Sequence, residues 1–353
     1  MNQKTRLVIS LGIMIVLTTL LLRSLFLNLA AFDRLSTQYF PVGNSFSLPL
    51  KTDKSSTGDE KTPEFPCYEK NRADWQIGWW YFAGHLEDEQ NPAHKFGLTL
   101  VFDKNPAQIM FGLSDGEAQE NFSGTINFTD YDIIEEESVI VKKDDIFWVY
   151  NGDSKYRISF KFEDKQIDLN LVSLKKPVIA ANNEQTFYCQ QTRLEAEGTL
   201  VIKDKHYQIK GQAWIEHQGF KDVLSWKSWR WHSLQLNNNI EIVFVTNFLD
   251  KSGKFLEKNA LSIFDNQGRR ETIEPGDYQI KDIEYFQYPQ TNIRYPIKWQ
   301  LEIPGRHIKL LVSSIVANQV IKGSDGFYEG SCQVSGIFEG EKVNGRAQFE
   351  YMP

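Results

Sequence analysis

From Trp75 onward the chain is a succession of apolar or alternating runs of five to eight residues, each interrupted by Gly, Asn, Asp or Pro. Side chains that alternate with period two cover one face of an extended strand, and the interrupting residues are those that tolerate tight reversals. Residues 122–128, 146–150, 156–162, 167–171, 198–202, 207–214, 297–303 and 308–312 are runs of this kind. Between them, Asn151-Gly152-Asp153, Lys203-Asp204-Lys205, Asn237-Asn238-Asn239 and Asn266-Gln267-Gly268 offer residues that accept positive φ, as hairpin turns require. Past the N-terminal segment, no stretch keeps apolar residues at i, i+3, i+4 and i+7 through three turns of helix. The expected fold class is all-β, with antiparallel strands in sandwiches or barrels, and barrels remove the unpaired edges that long β chains otherwise expose.

Trp79-Trp80-Tyr81-Phe82-Ala83-Gly84-His85-Leu86 sets four large aromatics in a row ahead of a glycine and a histidine. About 150 residues later, Trp229-Arg230-Trp231-His232-Ser233-Leu234-Gln235-Leu236 again sets paired aromatics ahead of a strand-like run. Apolar stretches follow each, at 96–102 and 240–248. A chain of 353 residues is long enough for two domains. The echo divides it into related halves, expected at 67–185 and 186–353, with 177–186 as the crossover.

Lys4 and Arg6 precede an apolar run at 7–22, and after Arg23 the apolar character resumes over 24–32. The first run falls a little short of the roughly 20 residues that span a bilayer, which tilt or burial of the Arg23 stem makes up. Residues 1–32 therefore read as an N-terminal membrane anchor. A cleavable signal peptide is the competing reading, although Leu29-Ala30-Ala31 matches a small-x-small cleavage site poorly. The two leading cations place the N-terminus in the cytoplasm and the body of a single-pass protein outside it. Residues 33–66 are the linker, rich in Lys, Ser, Thr, Asp, Glu and Pro over 51–66.

The net charge of −7, with no basic cluster, argues against nucleic acid, whose binding needs a basic face to displace counterions. Cys67, Cys189 and Cys332 are widely spaced and odd in number, which leaves one bridge or buried free thiols open. No clustered His/Cys pattern supports a metal, and no Gly-rich phosphate loop, HExxH or Gly-x-Ser-x-Gly elbow points to a cofactor or a serine hydrolase.

Chemistry-bearing residues gather in Gly211-Gln212-Ala213-Trp214-Ile215-Glu216-His217-Gln218-Gly219-Phe220. In a regular strand Trp214 and Glu216 face one way while Ile215 and His217 face the other, so one pocket sees both sets only if the strand bulges or ends. His85 follows the first tryptophan run, where a core or rim hydrogen bond is the plain reading. His232 alternates out of phase with Trp229 and Trp231, and the tryptophans are expected to take the barrel interior. Arg193 and Glu329 sit in strand-like contexts that suit a buried Arg–Glu pair.

Four pieces in order carry a family resemblance: 79–86 followed by Phe96-Gly97; Gly198-Thr199-Leu200 running to 211–218; Trp229-Arg230-Trp231 with Leu234-Gln235-Leu236; and Tyr328-Glu329-Gly330 with Val334-Ser335-Gly336. Over roughly 60–353 the chain resembles the lipocalin-like family that contains carotenoid 1,2-hydratase (hydroxyneurosporene synthase) and the AttH-type proteins. The resemblance implies two tandem lipocalin-like β-barrel domains and an apolar small-molecule partner, a lipid or isoprenoid. It further implies acid catalysis of hydration or cyclisation, with Glu216 or protonated His217 as the acid and Trp80, Trp214, Trp229 or Trp231 as π surface. Trp79, His85 and Gln218 complete the expected ligand-binding set. Two departures stand out. The family's aspartate-histidine-glutamine-tryptophan-glycine is here Glu216-His217-Gln218-Gly219-Phe220, and residues 242–247 lack the acid that the hydratases carry on the strand after the second tryptophan pair. Those departures favour binding of an apolar ligand, with hydratase-like catalysis as the alternative.

Overall fold

The computed structural model describes residues 77–103, 108–127, 139–143, 146–182, 184–221, 226–250 and 261–353. The anchor expected at 1–32, the linker at 33–66 and Cys67 lie outside these residues. Among the described residues no helix is long and apolar enough to cross a membrane.

Two curled antiparallel sheets make up the fold. The first contains β1 (Ile77–Asp88), β2 (Lys95–Asp103), β3 (Gln108–Asp115), β4 (Glu120–Asn127), β5 (Val139–Lys143), β6 (Ile146–Gly152), β7 (Lys155–Phe162), β8 (Lys165–Ser173), β9 (Val178–Asn182), β10 (Thr186–Ile202) and β11 (Lys205–Phe220). The second contains β12 (Trp226–Leu236), β13 (Glu241–Asp250), β14 (Leu261–Phe264), β15 (Arg270–Ile273), β16 (Gln279–Gln287), β17 (Arg294–Ile303), β18 (Ile308–Ser314), β19 (Tyr328–Phe338) and β20 (Glu341–Met352). Their orders are β4-β3-β2-β1-β11-β10-β8-β7-β6-β5, with β9 on β10, and β15-β14-β13-β12-β20-β19-β18-β17-β16.

One plan is used twice. In each sheet the first strand pairs with the last, so the meander curls back on itself, and its two edges face a break between β4 and β5 or between β15 and β16. This is the expected all-β, two-barrel architecture. The changeover between sheets comes later than residue 185, because β10 and β11 pair with β1 and carry the first sheet to Phe220. Residues 177–186 are no crossover: β9 pairs with β10 inside that sheet. The anticipated hairpin turns form, with positive φ at Gly152, Lys203, Asn239 and Gly268.

Both barrel interiors are filled by aromatic and branched side chains. In the first, Trp148 is fully buried against Phe82 and Phe102. In the second, His232 stacks on Phe244 at 4.3 Å and meets Trp299 and Phe349. The last hairpin of each half also depends on a glycine where neighbouring backbones crowd together. A Cβ on Gly211 would lie 2.0 Å from the His85 carbonyl oxygen, and one on Gly345 would lie 2.2 Å from that of Gln235. Glycine permits this close approach at a barrel bend.

The sheets pack on each other through β1, β2, β10 and β11 on one side and β12, β13, β19 and β20 on the other. Gln235 on β12 donates from Nε2 to the Thr192 and Ala213 carbonyls at 2.8 and 2.9 Å. Arg193, buried on β10, pairs with Glu241 on β13 and donates to the Leu236 carbonyl at 2.9 Å. Lys175 joins the same carboxylate at 2.6 Å. The expected buried arginine–glutamate pair therefore exists, but its acid is Glu241 rather than Glu329. Cys189 is disulfide-bonded and Cys332 is a buried free thiol.

Removing one partner from a buried ion pair strands the other charge away from water. Arg193→Met is expected to lower the free energy of unfolding by about 3 kcal/mol, read from urea denaturation. Combining it with both Glu241→Leu and Lys175→Met, which leaves no member of the buried triad charged, should recover much of the loss.

Candidate functional site

Strand alternation sorts the residues between β1 and β11. Trp80 and Phe82 point into the first barrel, whereas Trp79, Tyr81 and Ala83 face the second sheet. On β11, Ile215 and His217 belong to the barrel side, with Trp214 and Glu216 on the seam between the sheets. His217 stacks on Trp80, ring centroids 4.3 Å apart and planes 11° apart, and meets the edge of Phe187. Glu216 and His217 are thus separated by the strand itself and do not share a pocket.

Glu216 is buried and surrounded by donors. Oε1 accepts from Tyr188 Oη at 2.7 Å, Trp214 Nε1 at 2.8 Å and Gln190 Nε2 at 3.0 Å. From the second sheet come two more acids. Glu329 Oε2 accepts from Tyr81 Oη at 2.8 Å and Gln348 Nε2 at 2.7 Å, and Glu350 accepts from Trp229 Nε1. Asp103 on β2 is hydrogen-bonded by Gln108 at 2.8 Å. Trp231 joins the group, meeting Tyr81 and Trp214 edge-on at 5.6 and 5.9 Å. Tyr81 and Trp214 are fully covered, while Trp79, Asp103, Tyr188, Trp229 and Glu350 keep partial access to solvent.

None of these four carboxyls has a cation beside it among the described ion pairs. Burial therefore decides their titration. It pushes Glu216 up to about 8, against the opposing hydrogen bonds from Tyr188 and Trp214. It pushes Glu350 up to about 7, opposed by the Trp229 indole, and Asp103 up to about 6. Glu329 rises well above the ordinary carboxylate range through burial and the nearness of Glu350. Tyr81 and Tyr188, held neutral by burial and by the adjacent acids, remain donors. A buried acid that stays protonated near neutrality is equipped for general-acid chemistry.

Of the residues expected from sequence, the seam gathers Glu216, Trp79, Trp214, Trp229, Trp231 and, further along the same face of β11, Gln218. Trp80 and His217 lie on the barrel side. The second tryptophan pair faces the seam and His232 takes the barrel interior, the reverse of the expected assignment. His85 shares a buried hydrogen bond between its Nδ1 and Ser331 Oγ of the second sheet at 3.1 Å, and burial lowers its pKa to about 3, so it stays neutral. Beyond it the seam opens into a polar cleft of about 550 Å³, lined by Glu87, Lys95, Glu195, Lys210, Gln333 and Arg346 among others.

Tyr81, Asp103, Tyr188 and Glu350 were not singled out as site residues by sequence reasoning. For Glu350 a signal existed. Gly211-Gln-Ala-Trp-Ile-Glu216 recurs as Gly345-Arg-Ala-Gln-Phe-Glu350, so each half ends on a glycine followed five residues later by a glutamate. In register, Glu216 opposes Tyr81 and Glu350 opposes Trp231.

Two curled sheets with a buried acid–indole seam define the molecule as a lipocalin-like double β-barrel protein. The model of the AttH-like family matches residues 57–350, and the chain belongs to that family. It is similar to the crystal structure of an AttH protein from Nitrosomonas europaea, with 18% identity and a TM-score of 0.69 over 84% of this chain and 98% of that one. It is also similar to kievitone hydratase from Nectria haematococca, with 17% identity and a TM-score of 0.65 over 78% of this chain and 88% of that one. At these identities the likenesses show the fold. No curated protein sequence matches the chain.

A carboxyl whose folded pKa is raised stabilises the fold below its unfolded value and loses that contribution as pH climbs through the folded value. For Glu216 the window runs from the ordinary glutamate value of 4.5 to about 8. Glu216→Gln should gain on wild type by on the order of a few kcal/mol as pH rises through this window, in chemical denaturation at a series of pH values.

Proposed function

We propose that this protein hydrates a carbon–carbon double bond of an apolar, isoprenoid-like molecule in the seam between its barrels. The observation that carries this reading is Glu216: an acid without a cation, kept protonated near neutrality by burial, among the indoles of Trp214 and Trp231. The substrate enters at the end marked by Trp79, Tyr188 and Trp229. The carboxylic acid of Glu216 gives its proton to one alkene carbon, forming a C–H bond as the π bond is lost. Positive charge develops on the more substituted carbon, where indole faces stabilise it. Water closes a C–O bond there and releases its proton to the Glu350 carboxylate; exchange with solvent then removes that proton and returns one to Glu216, so the net change is addition of one water. The hydratase among the structural neighbours supports the reaction class, as does the family resemblance to carotenoid hydratases.

Binding without turnover is the second reading, favoured by the lack of an acid in residues 242–247 of β13. The apolar run at 7–22 supports tethering of either activity to a membrane, with both sheets outside the cytoplasm.

The test is to incubate the full chain with an acyclic isoprenoid bearing a trisubstituted double bond in isotopically labelled water, and to look for a labelled tertiary alcohol by mass spectrometry. Turnover should be bell-shaped in pH, falling below about 7 as Glu350 takes a proton and above about 8 as Glu216 loses its own. Glu216→Gln should cost about 100-fold or more. Saturable quenching of tryptophan fluorescence with no alcohol formed would leave binding alone, and absence of both would remove the two readings together.

A further inference from the structure

Glu329 and Glu350 stand directly opposite each other on β19 and β20. Cross-strand partners bring their Cβ atoms to roughly 4.5–5.5 Å, so two glutamates on one face meet. Their donors are few. Glu329 Oε2 is taken by Tyr81 and Gln348, and Glu350 by the Trp229 indole. Glu329 Oε1 is buried and meets no protein donor among the described residues, while the two carboxyls lie within hydrogen-bond reach of each other. The charged or titratable groups facing the pair are Tyr81 from β1, Asp103 from β2 and Glu216 from β11. All three are acids, and among the described residues no cation pairs with either glutamate.

The first half supplies an internal comparison. Gln190 on β10 stands opposite Glu216 as Glu329 stands opposite Glu350. An amide there donates a hydrogen bond to the carboxyl, whereas a carboxylate can only repel it or share a proton with it.

We propose that Glu329 and Glu350 hold one proton between them, the hydrogen of one carboxyl bridging to an oxygen of the other. Glu329 is then a positioning residue: the shared proton gives Glu350 a hydrogen bond that keeps it aimed into the seam and holds it as the carboxylate that takes up the proton released by water. This role rests on the hydration reading, but the shared proton does not. Two like charges in contact away from water titrate as a pair, one proton leaving readily and the other reluctantly.

Infrared difference spectra of the full chain, taken across a pH titration, read the carboxylic-acid C=O stretch directly. Wild type should show one protonated carboxyl at neutral pH beyond the one that Glu216→Gln removes. In Glu350→Gln the buried Glu329 should keep a proton but lose the shared bond, so its band sharpens and moves to higher frequency, while in Glu329→Gln the band should follow the titration of Glu350 alone; folding is checked by circular dichroism, and either variant is sufficient if the other fails to fold. Glu329→Gln replaces the shared proton by the weaker amide donor of the first half, so the acidic limb of the turnover profile should move to higher pH by about one unit or more while the basic limb stays in place. A band missing from wild type, or unmoved in a folded variant, would overturn the dyad whatever the outcome with isoprenoids. A dyad present in a protein that forms no alcohol would instead count against hydration alone.

Discussion

Everything in this fold follows from what lies on the outer faces of β1, β11, β12 and β20. A strand that fills a barrel with every second side chain turns the others outward, and a solitary barrel would put them in water. Here the outward set includes Tyr81, Trp214, Trp231 and three glutamates, too apolar to leave exposed and too acidic to bury without donors. Packing the barrels against each other answers both demands at once. The indoles and phenols remove each other from water, and their N–H and O–H groups are the donors that the carboxyls require. The same arrangement leaves the acids uncompensated by cations, so the packing that completes the fold also sets the chemistry of the seam.

The duplication shows how this came to be asymmetric. Trp80 and His217 occupy one end of the first barrel as a flat stack, and the matching end of the second carries Arg230 at 4.8 Å over the Tyr351 ring. Gln190 and Glu329 differ in the same way beside Glu216 and Glu350. Equivalent positions keep their geometry and change their charge, so two copies of one scaffold present an acid of one kind and an acid of another to the same space.

The sequence made the strands legible, because period-two alternation and turn residues are local signals, and the fold followed from the repeated tryptophan run. Alternation also separated Glu216 from His217 correctly. Its limit is choosing between faces: large apolar groups usually line a core, which points Trp229 and Trp231 into the barrel, yet here a second core lies outside it. Pairing across the seam could not be read at all. Arg193 and Glu329 looked like partners, but Arg193 reaches Glu241 and Glu329 reaches Tyr81, 248 residues away along the chain. The Gly-x-Ala-x-apolar-Glu echo that ends each half was visible and held the clue to Glu350, once the duplication was followed to the final hairpin.

The amide of Gln235 spends both its hydrogens on main-chain carbonyls of the other barrel. Those acceptors belong to the backbone, which no substitution in the first half can delete. A half set free would exchange these bonds for water but would also bring the seam's indoles into solvent, so the stitch fixes the register in which the two apolar faces cover each other.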